Sequence, residues 1–407
     1  MTVLKRSLIL VLIMLSLHLG VQAQPSAAVL PSGPAHANDW QTLRSEAAYG
    51  PLPGELRGVW MHYYAKPSWA AAMRTLADAN LNAVFPYMMS GGVAFYRSRV
   101  LPVHPSLGQD RDFLQEAVSA GKASGIPVHA RMLNLTTLFA PPEVRQKLAA
   151  EGRLAITSKG KTTEWLCPSN SANRKQQVAA ALEMLSYGVA GIQFDYLRYP
   201  GNTSCFCATC RRAFERDLHV SVKNWPLDCQ SGCYRGRFAD WRREQLTNLV
   251  SELSHAIRAA NPHAMVSAAV FLNWEDHRDT FGQDWKTWVD RGLVDFVCPM
   301  DYTTENEKFR LYVSRQQEWI AGKVPFAAGI GINSDGHQFP GPRLALEQVR
   351  IAREYGAQGF VIFNYCDKLV NDYLPAFVGT VTRDPTTFGL GPQASQQSGL
   401  EPVSRYD

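Results

Sequence analysis

Apolar residues along the chain fall into two alternating patterns. Short continuous apolar runs, rich in β-branched and aromatic residues, predict strands at residues 56–63, 83–88, 127–133, 191–196, 265–272, 295–302, 325–332 and 359–365. Apolar residues spaced three or four positions apart predict helices at residues 68–80, 113–125, 174–188, 238–260, 285–292, 309–322, 344–356 and 369–377. Eight strands, each followed by a helix, indicate an α/β protein with a (β/α)8 TIM-barrel fold.

An open, doubly wound sheet is the alternative that such an alternation allows. That fold usually places a glycine-rich phosphate turn directly after its first strand. Here Arg57-Gly58-Val59-Trp60 continues as strand, without such a turn. The barrel is therefore the favoured fold.

The two ends of the chain differ from this alternating region. Lys5 and Arg6 precede an apolar run at residues 7–21, and Val21-Gln22-Ala23 carries small residues at alternate positions, so residues 1–23 are predicted to be a signal peptide. An uncleaved anchor is less favoured, because a membrane span needs about 20 apolar residues. We predict a linker at residues 24–54, one barrel domain at residues 55–380, and a disordered tail at residues 381–407. Export without a stable membrane anchor follows from this organisation.

Composition narrows the classes of partner. The chain of 407 residues is 46% hydrophobic and 19% charged, which is typical of a soluble globular protein. Its formal net charge is +5, and Lys5 and Arg6 contribute two of these charges, so the exported part carries +3. This charge is too weak to indicate nucleic-acid binding, but it suits an anionic polysaccharide.

The segment at residues 191–200, GIQFDYLRYP, places Asp195 at the carboxyl end of the fourth strand. Active sites of TIM barrels lie at this end. The other strand ends carry aromatic, amide and charged side chains, a combination that stacks on sugar rings and bonds to their hydroxyl groups. Taken singly, each residue could instead cap a loop or face solvent. We predict substrate contacts from Trp60, His62, Tyr87, Arg131, Asn134, Arg198, Tyr199, Asn273, Tyr302, Asn333, Asn364 and Tyr365. The same ends carry Tyr63, Tyr64, Trp274, Asp276, Asp335, His337 and Asp367.

Five segments of the chain resemble the glycosyl-hydrolase-like family ten of bacterial barrel proteins. These are residues 55–60, 165–168, 191–200, 238–243 and 295–302. The resemblance implies a secreted or periplasmic protein of the bacterial cell envelope that hydrolyses glycosidic bonds, with one branch acting on peptidoglycan glycan strands stripped of peptides. Two segments depart from the family pattern. Pro299-Met300 stands where Pro-Gln is common, and residues 267–270 read Ser-Ala-Ala-Val where Ser-Pro-Phe-Gly is common.

Glycoside cleavage requires two carboxyl groups and no cofactor. Asp195 is the matched family position and the first candidate, whereas Asp301 and then Glu275 are candidates for the second group. Arg198 beside Asp195 would hold it ionised, which favours a nucleophile or base. The departures leave the second carboxylate open, so a catalytically inactive glycan-binding barrel is the alternative function. The sequence does not indicate an oligomeric state.

Cysteines concentrate in an insertion at residues 202–237 after the fourth strand. Disulfides and a zinc site are the two interpretations of this spacing. Export to an oxidising compartment favours disulfides, so no metal is predicted. Cys298 and Cys366 are interpreted as free thiols. The disulfide candidates are Cys167, Cys205, Cys207, Cys210, Cys229 and Cys233.

Overall fold

The computed structural model describes residues 52–62, 68–334 and 337–388. Its central sheet contains eight strands that run parallel to one another. In chain order these are β1 (Leu56–Met61), β2 (Ala83–Ser90), β3 (His129–Leu133), β4 (Gly191–Asp195), β5 (Met265–Phe271), β6 (Phe296–Met300), β7 (Ala328–Ile330) and β8 (Gly359–Phe363). A two-residue strand, Val93–Ala94, returns antiparallel against the end of β2.

The sheet closes on itself. Each strand pairs in parallel with the next, and β1 also pairs with β8, where Leu56 lies opposite Gly359. Closure leaves this parallel sheet without an exposed edge. The TIM-barrel prediction is confirmed.

Helices cover the outside of the barrel. They are α1 (Trp69–Asp78), α2 (Phe113–Ser124), α3 (Pro142–Ala150), α4 (Ser171–Leu185), α5 (Ala208–Leu218), α6 (Leu227–Gln230), α7 (Arg235–Ala260), α8 (Trp274–Phe281), α9 (Trp285–Asp290), α10 (Asn306–Ile320), α11 (Pro342–Glu354) and α12 (Leu374–Val378). A 3-10 turn at Pro105–Leu107 and a π-helical turn at Leu369–Tyr373 complete the helical elements of the described residues. The structure adds α3, α5, α6 and α8 to the predicted set.

Helix ends follow local sequence signals. Asp112 precedes α2 and its carboxylate accepts hydrogen bonds from the backbone N–H groups of Leu114 and Gln115, both at 3.1 Å. The same helix stops at Gly125, whose φ of +69° is accessible to glycine at little cost. These signals set where the chain turns back to the next strand.

Along each strand, successive residues face in turn the barrel interior and the helix layer. Trp60 is fully buried in the interior, and it fits because Gly329 has no side chain: a Cβ there would lie 2.9 Å from the indole. Residues of the outer face, such as Val59 and Val297, pack against the helices. The interior group consists of Leu56, Trp60, Ala83, Phe85, Ala269, Phe296, Cys298, Ala327 and Val361.

The amino-terminal end of the barrel is sealed by the chain that follows α12. Arg57 donates to the carbonyl of Asp384 at 2.8 Å, and Asn80 donates to the carbonyl of Thr382 at 2.8 Å. Phe388 packs against Phe296 with 5.6 Å between ring centroids. Residues 381–388 therefore belong to the barrel domain, which corrects the predicted start of the disordered tail.

Several sequence predictions lie outside the described residues. These are the signal peptide, most of the linker and residues 389–407. Within the described part of the chain, no helix combines the length and apolar character that a membrane crossing requires.

Candidate active site

Asp195 is the last residue of β4 and shares its face with Gln193. Gln193 lies in the barrel interior, where its Oε1 accepts a hydrogen bond from Trp60 Nε1 at 2.7 Å. Strand alternation therefore directs the Asp195 side chain toward the barrel axis, one layer above Gln193. Trp60 and Gln193 form the floor beneath the carboxyl group.

The backbone turns sharply directly after Asp195. Tyr196 has a φ of +53°, a left-handed conformation that is unfavourable for a bulky residue. In this conformation its N–H donates to Asp195 Oδ1 at 2.7 Å. Arg131, on the neighbouring strand β3, places Nη1 at 3.5 Å from Asp195 Oδ2. The strained turn thus orients the carboxyl group, as strain at functional sites commonly does.

Burial dominates the electrostatics of Asp195, whose side chain is almost completely shielded from solvent. Burial raises the pKa of Asp195, and Arg131, Arg198 and the Tyr196 N–H lower it by less, so the net direction is upward. The charge of Arg198 acts in the predicted direction, toward the ionised form, but burial outweighs it. A raised pKa is the property that a general acid requires.

Aromatic rings form one wall beside the carboxyl group. The guanidinium carbon of Arg131 lies 5.6 Å from the ring centroid of Tyr87. The Tyr87 ring stacks on that of Phe139, with 5.6 Å between the centroids. The ring centroid of His62 lies 5.3 Å from that of Tyr87 and 5.8 Å from that of Phe363. Burial, followed by the charge of Arg131, lowers the pKa of His62 to about 4, which leaves a neutral imidazole at neutral pH.

Tyr302, two residues after the end of β6, also belongs to this wall. Its ring lies 5.3 Å from Phe363 and 6.3 Å from Trp60, between centroids. Burial raises the pKa of Tyr302 well above its usual value, and Arg131 and Asp195 are among the charges that act on it. Tyr302 is thus a neutral hydroxyl close to the candidate acid.

A second aromatic group surrounds Arg198. Its guanidinium carbon lies 4.2 Å from the ring centroid of Tyr196, 4.4 Å from that of Phe271 and 5.5 Å from that of Trp165. The rings stabilise the cation through their faces. Arg198 Nη1 is nevertheless buried without a hydrogen-bond partner, as is Arg131 Nε. Two donors of the site are therefore left unsatisfied.

Three predicted contact residues have structural roles instead. Asn134 is fully buried beside Gln177 of α4, and its backbone N–H donates to the carbonyl of Asp195. Tyr199 is buried under Arg242, whose guanidinium carbon lies 4.2 Å from its ring centroid. Trp60 lies below the carboxyl group, in the barrel interior. Burial of these side chains corrects the prediction that they contact substrate.

Residues at the other strand ends are distributed more loosely. Asn273 caps α8 by accepting from the N–H of Asp276. Asn333 Nδ2 donates to Asn364 Oδ1 at 3.5 Å, and Tyr365 is buried with its N–H bonded to the carbonyl of Trp60. Tyr63, Tyr64 and Asp335 lie outside the described residues, as does the side chain of His337.

The two candidates for the second carboxylate are not brought into contact with Asp195. Asp301 is fully buried, and its Oδ1 accepts from Gln316 Nε2 of α10 at 2.6 Å. Because Cys298 and Met300 pack in the barrel interior, Asp301 lies on the opposite face of the chain, in the helix layer. Burial raises its pKa well above the usual value. Glu275 is exposed in the first turn of α8. The expectation that Asp301 faces Asp195 is thus corrected.

The cysteines of the insertion form a cluster rather than disulfides. Cys167 Sγ lies 3.6 Å from Cys207 Sγ and 3.5 Å from Cys210 Sγ, well beyond the about 2.05 Å of a disulfide bond. Cys205 completes a group whose sulfur atoms all lie within 4.8 Å of one another. All eight cysteines, including Cys229 and Cys233, are free thiols in the structure, which corrects the disulfide prediction.

The sequence interpretation omitted several residues of the site. Phe139 lies on the loop after β3, Trp165 lies in a short strand, Thr162–Leu166, that pairs antiparallel with Leu154–Ile156, and Phe363 ends β8. Gln193 could have been found, because it shares the face of Asp195 by strand alternation. Phe139 and Trp165 carry no periodic signal that would place them beside the site.

Comparisons with known proteins identify the family and the fold. The family described as Glycosyl hydrolase-like 10 matches residues 55–343. A protein named glycosyl hydrolase DigH, from Escherichia coli strain K12, is 23% identical over 276 residues, covering 56% of this chain and 56% of that protein. The chain thus spans about half the length of the curated relatives it matches.

Two solved structures share the fold. The catalytic domain of a β-amylase from Paenibacillus polymyxa superposes with a TM-score of 0.59 at 11% identity, covering 81% of this chain and 98% of that chain. A β-galactosidase from Bacillus circulans sp. alkalophilus gives a TM-score of 0.57 at 12% identity, covering 79% of this chain and 52% of that chain. The family match extends over most of the barrel domain. The chain belongs to the Glycosyl hydrolase-like 10 family.

Proposed function

We propose that this protein is a glycoside hydrolase of the bacterial cell envelope, that it cleaves peptide-free peptidoglycan glycan strands, and that Asp195 is its general acid. One observation carries the proposal. A buried carboxyl group with a raised pKa lies at the catalytic end of a TIM barrel, between two arginines and an aromatic wall.

The position of Asp195 suits proton donation to a leaving group. Protonation is favoured by burial, and the Tyr196 N–H fixes the carboxyl orientation. Once the proton has left, Arg131 and Arg198 stabilise the carboxylate that forms. Burial thus favours the protonated form before transfer, and the two arginines stabilise the carboxylate after it.

Surfaces around the acid suit a chain of sugars. Phe139 is 38% exposed and stacks on Tyr87, so it offers a face to solvent beside the site. Arg131 and Arg198 supply guanidinium donors beside this face. Aromatic platforms combined with such donors are typical of carbohydrate sites. The proposed peptidoglycan substrate also draws on the resemblance of five segments to family members that act on stripped strands.

A glycan-binding protein without hydrolytic activity is the second candidate function. It is favoured by the placement of Asp301, which bonds Gln316 in the helix layer and does not face Asp195. Paired carboxyl groups about 5–10 Å apart are needed for the usual retaining or inverting mechanisms. In this alternative Asp195 and the aromatic wall would bind sugars only.

The two functions are separated by incubating the purified exported chain with three materials: peptidoglycan strands stripped of stem peptides, intact cross-linked sacculi, and chitin. We expect short oligosaccharides from stripped strands and little release from intact sacculi, whose peptides would collide with the barrel mouth. Mass spectrometry of the soluble products identifies the cleaved bond. Measurable binding to stripped strands without any products would favour the binding protein.

A further inference from the structure

We propose that Cys167, Cys205, Cys207 and Cys210 form a structural zinc site that joins the loop after β3 to the insertion after β4. Neither the proposed glycosidase chemistry nor the barrel core requires four thiols at this position. Their sulfur atoms converge from two separate segments of the chain.

The spacing of the sulfur atoms fits a tetrahedral metal. Four thiolates at the usual Zn–S distance of about 2.3 Å have sulfur–sulfur separations of about 3.8 Å. Cys167 lies 3.5 Å from Cys210 and 3.6 Å from Cys207, and all four sulfurs fall within 4.8 Å of one another. One zinc ion uses all four sulfurs as ligands.

Backbone donors already point at two of the sulfurs. The N–H of Ile156 donates to Cys205 Sγ at 3.4 Å, and the N–H of Cys210 donates to Cys207 Sγ at 3.4 Å. Cys207 also caps the N-terminus of α5, where the helix dipole favours negative charge. Such N–H groups support thiolate ligands in the way that outer-shell donors support other metal ligands.

A buried cation beside the cluster is a second, independent observation. Arg242 is 5% exposed and donates to the carbonyls of Gly201 at 2.8 Å and Asn202 at 3.4 Å. Its guanidinium carbon lies 4.2 Å from the ring centroid of Tyr199, which precedes the insertion that carries Cys205, Cys207 and Cys210. Zinc with four thiolates carries a net charge of about −2, which would compensate the buried guanidinium.

The proposed site connects to the candidate active site through Trp165. Trp165 precedes Cys167 by two residues, and its ring lies 5.5 Å from the Arg198 guanidinium carbon and 5.7 Å from the Tyr196 ring. Cys205 and Cys207 follow Arg198 on the next loop, and Cys210 lies in the first turn of α5. Zinc would therefore fix the loop that carries Trp165 against the loop that carries Arg198.

Metal analysis of the full chain, purified without chelator, tests this directly. We expect one zinc ion per chain in the wild type, near-complete loss in Cys207→Ser, and full retention in Cys229→Ser. Cys229 is a matched control, because it is buried in the same insertion but lies outside the cluster. Chelation should also lower the melting temperature of the wild type and of Cys229→Ser.

Cobalt replacement in the wild-type chain keeps the test decisive if Cys207→Ser does not fold. Tetrahedral thiolate-bound Co²⁺ should give an intense charge-transfer band in the near ultraviolet and d–d bands in the visible, both lost after one equivalent of zinc is added. Three results would overturn the proposal: a metal-free chain with eight titratable thiols, peptides cross-linked by disulfides between Cys167 and Cys205, Cys207 or Cys210, or equal zinc content in both variants.

Discussion

Two buried carboxyl groups lie at opposite ends of the barrel, each accompanied by two arginines, and they are held differently. At the amino-terminal end, Glu55 accepts from Arg57 at 2.8 Å and from Arg353 at 2.7 and 2.9 Å. At the carboxyl-terminal end, Asp195 accepts one backbone hydrogen bond at 2.7 Å, and Arg131 lies 3.5 Å away.

The difference is the one expected between a structural acid and the proposed catalytic acid. Both oxygens of Glu55 are occupied by short charge-assisted hydrogen bonds, which hold β1 to α11. Around Asp195 the carboxyl group is loosely paired, with Arg131 Nη1 at 3.5 Å from Oδ2. Buried donors without a hydrogen-bond partner occur at both ends, on Arg131 and Arg198 here and on Arg57 at the other end. The pairing of the carboxyl group itself therefore distinguishes the two ends.

The largest effect is expected from Glu55→Gln. The substitution leaves Arg57 and Arg353 without a counter-charge in a buried position, which should lower the free energy of unfolding by about 3–5 kcal/mol. Denaturant-induced unfolding measures this change. Asp195→Asn is the control and should change stability by less than about 1 kcal/mol. Equal destabilisation by the two variants would contradict the claim that Glu55 is held more tightly than Asp195.

Arg131→Met should move the pH profile of glycan cleavage. Burial raises the pKa of Asp195 and Arg131 opposes this, so removing the arginine raises the pKa further. A general acid loses activity as pH rises through its pKa. The alkaline limb of kcat/KM should therefore shift upward by about one pH unit or more.

His62 also faces Arg131, so His62→Asn is the control for this shift. The pKa of His62 is lowered to about 4, which places its titration at acidic pH. Arg198, Tyr196 and Tyr302 are further charged or titratable groups that act on this region. An alkaline limb that disappears in His62→Asn would assign the titration to the histidine and contradict the role of Asp195.

Asp301→Asn should change how stability depends on pH. The folded-state pKa of Asp301 is raised well above its usual value of 3.8, so its stabilising contribution is full below that value and is lost as pH rises through the folded pKa. The wild type should lose up to about 1.4 kcal/mol per pH unit in this window relative to Asp301→Asn. Thermal unfolding across pH measures the difference, and parallel curves would show that Asp301 stays ionised.

The smallest effect is expected at the aromatic wall. Phe139→Ala should raise KM for stripped glycan about 2- to 10-fold with little change in kcat, because it removes a stacking surface without touching the acid. Leu138→Ala is the matched control, since Leu138 is the exposed neighbour at 40% accessibility and makes no ring contact. Equal changes in KM would indicate general loop disturbance.

The barrel fold and the position of Asp195 could be predicted from the sequence. The strand–helix alternation predicted the barrel, and the position of Asp195 at the end of β4 followed from it. Alternation also placed Asp301 on one face of its strand, but it does not tell which face is inward. The packing of Cys298 and Met300 against Trp60 decides that, and it depends on strands far apart in the chain.

The cysteines show a second limit of sequence reasoning. The sequence analysis grouped Cys167 with the five cysteines of the insertion as disulfide candidates, and the structure brings Cys167 together with Cys205, Cys207 and Cys210. The choice between disulfide and metal depends on sulfur separations, which spacing does not determine. Cys229 and Cys233 have similar local spacing but lie outside this cluster.

The most direct test of the proposed catalytic role is the turnover of stripped glycan strands by Asp195→Asn. The amide keeps the size of the side chain and can still accept from the Tyr196 N–H, but it cannot donate the proton. We predict that kcat falls by a factor of at least about 10², while glycan binding and melting temperature stay near the wild-type values. Wild-type turnover in this variant would contradict the assignment of Asp195 as the catalytic acid.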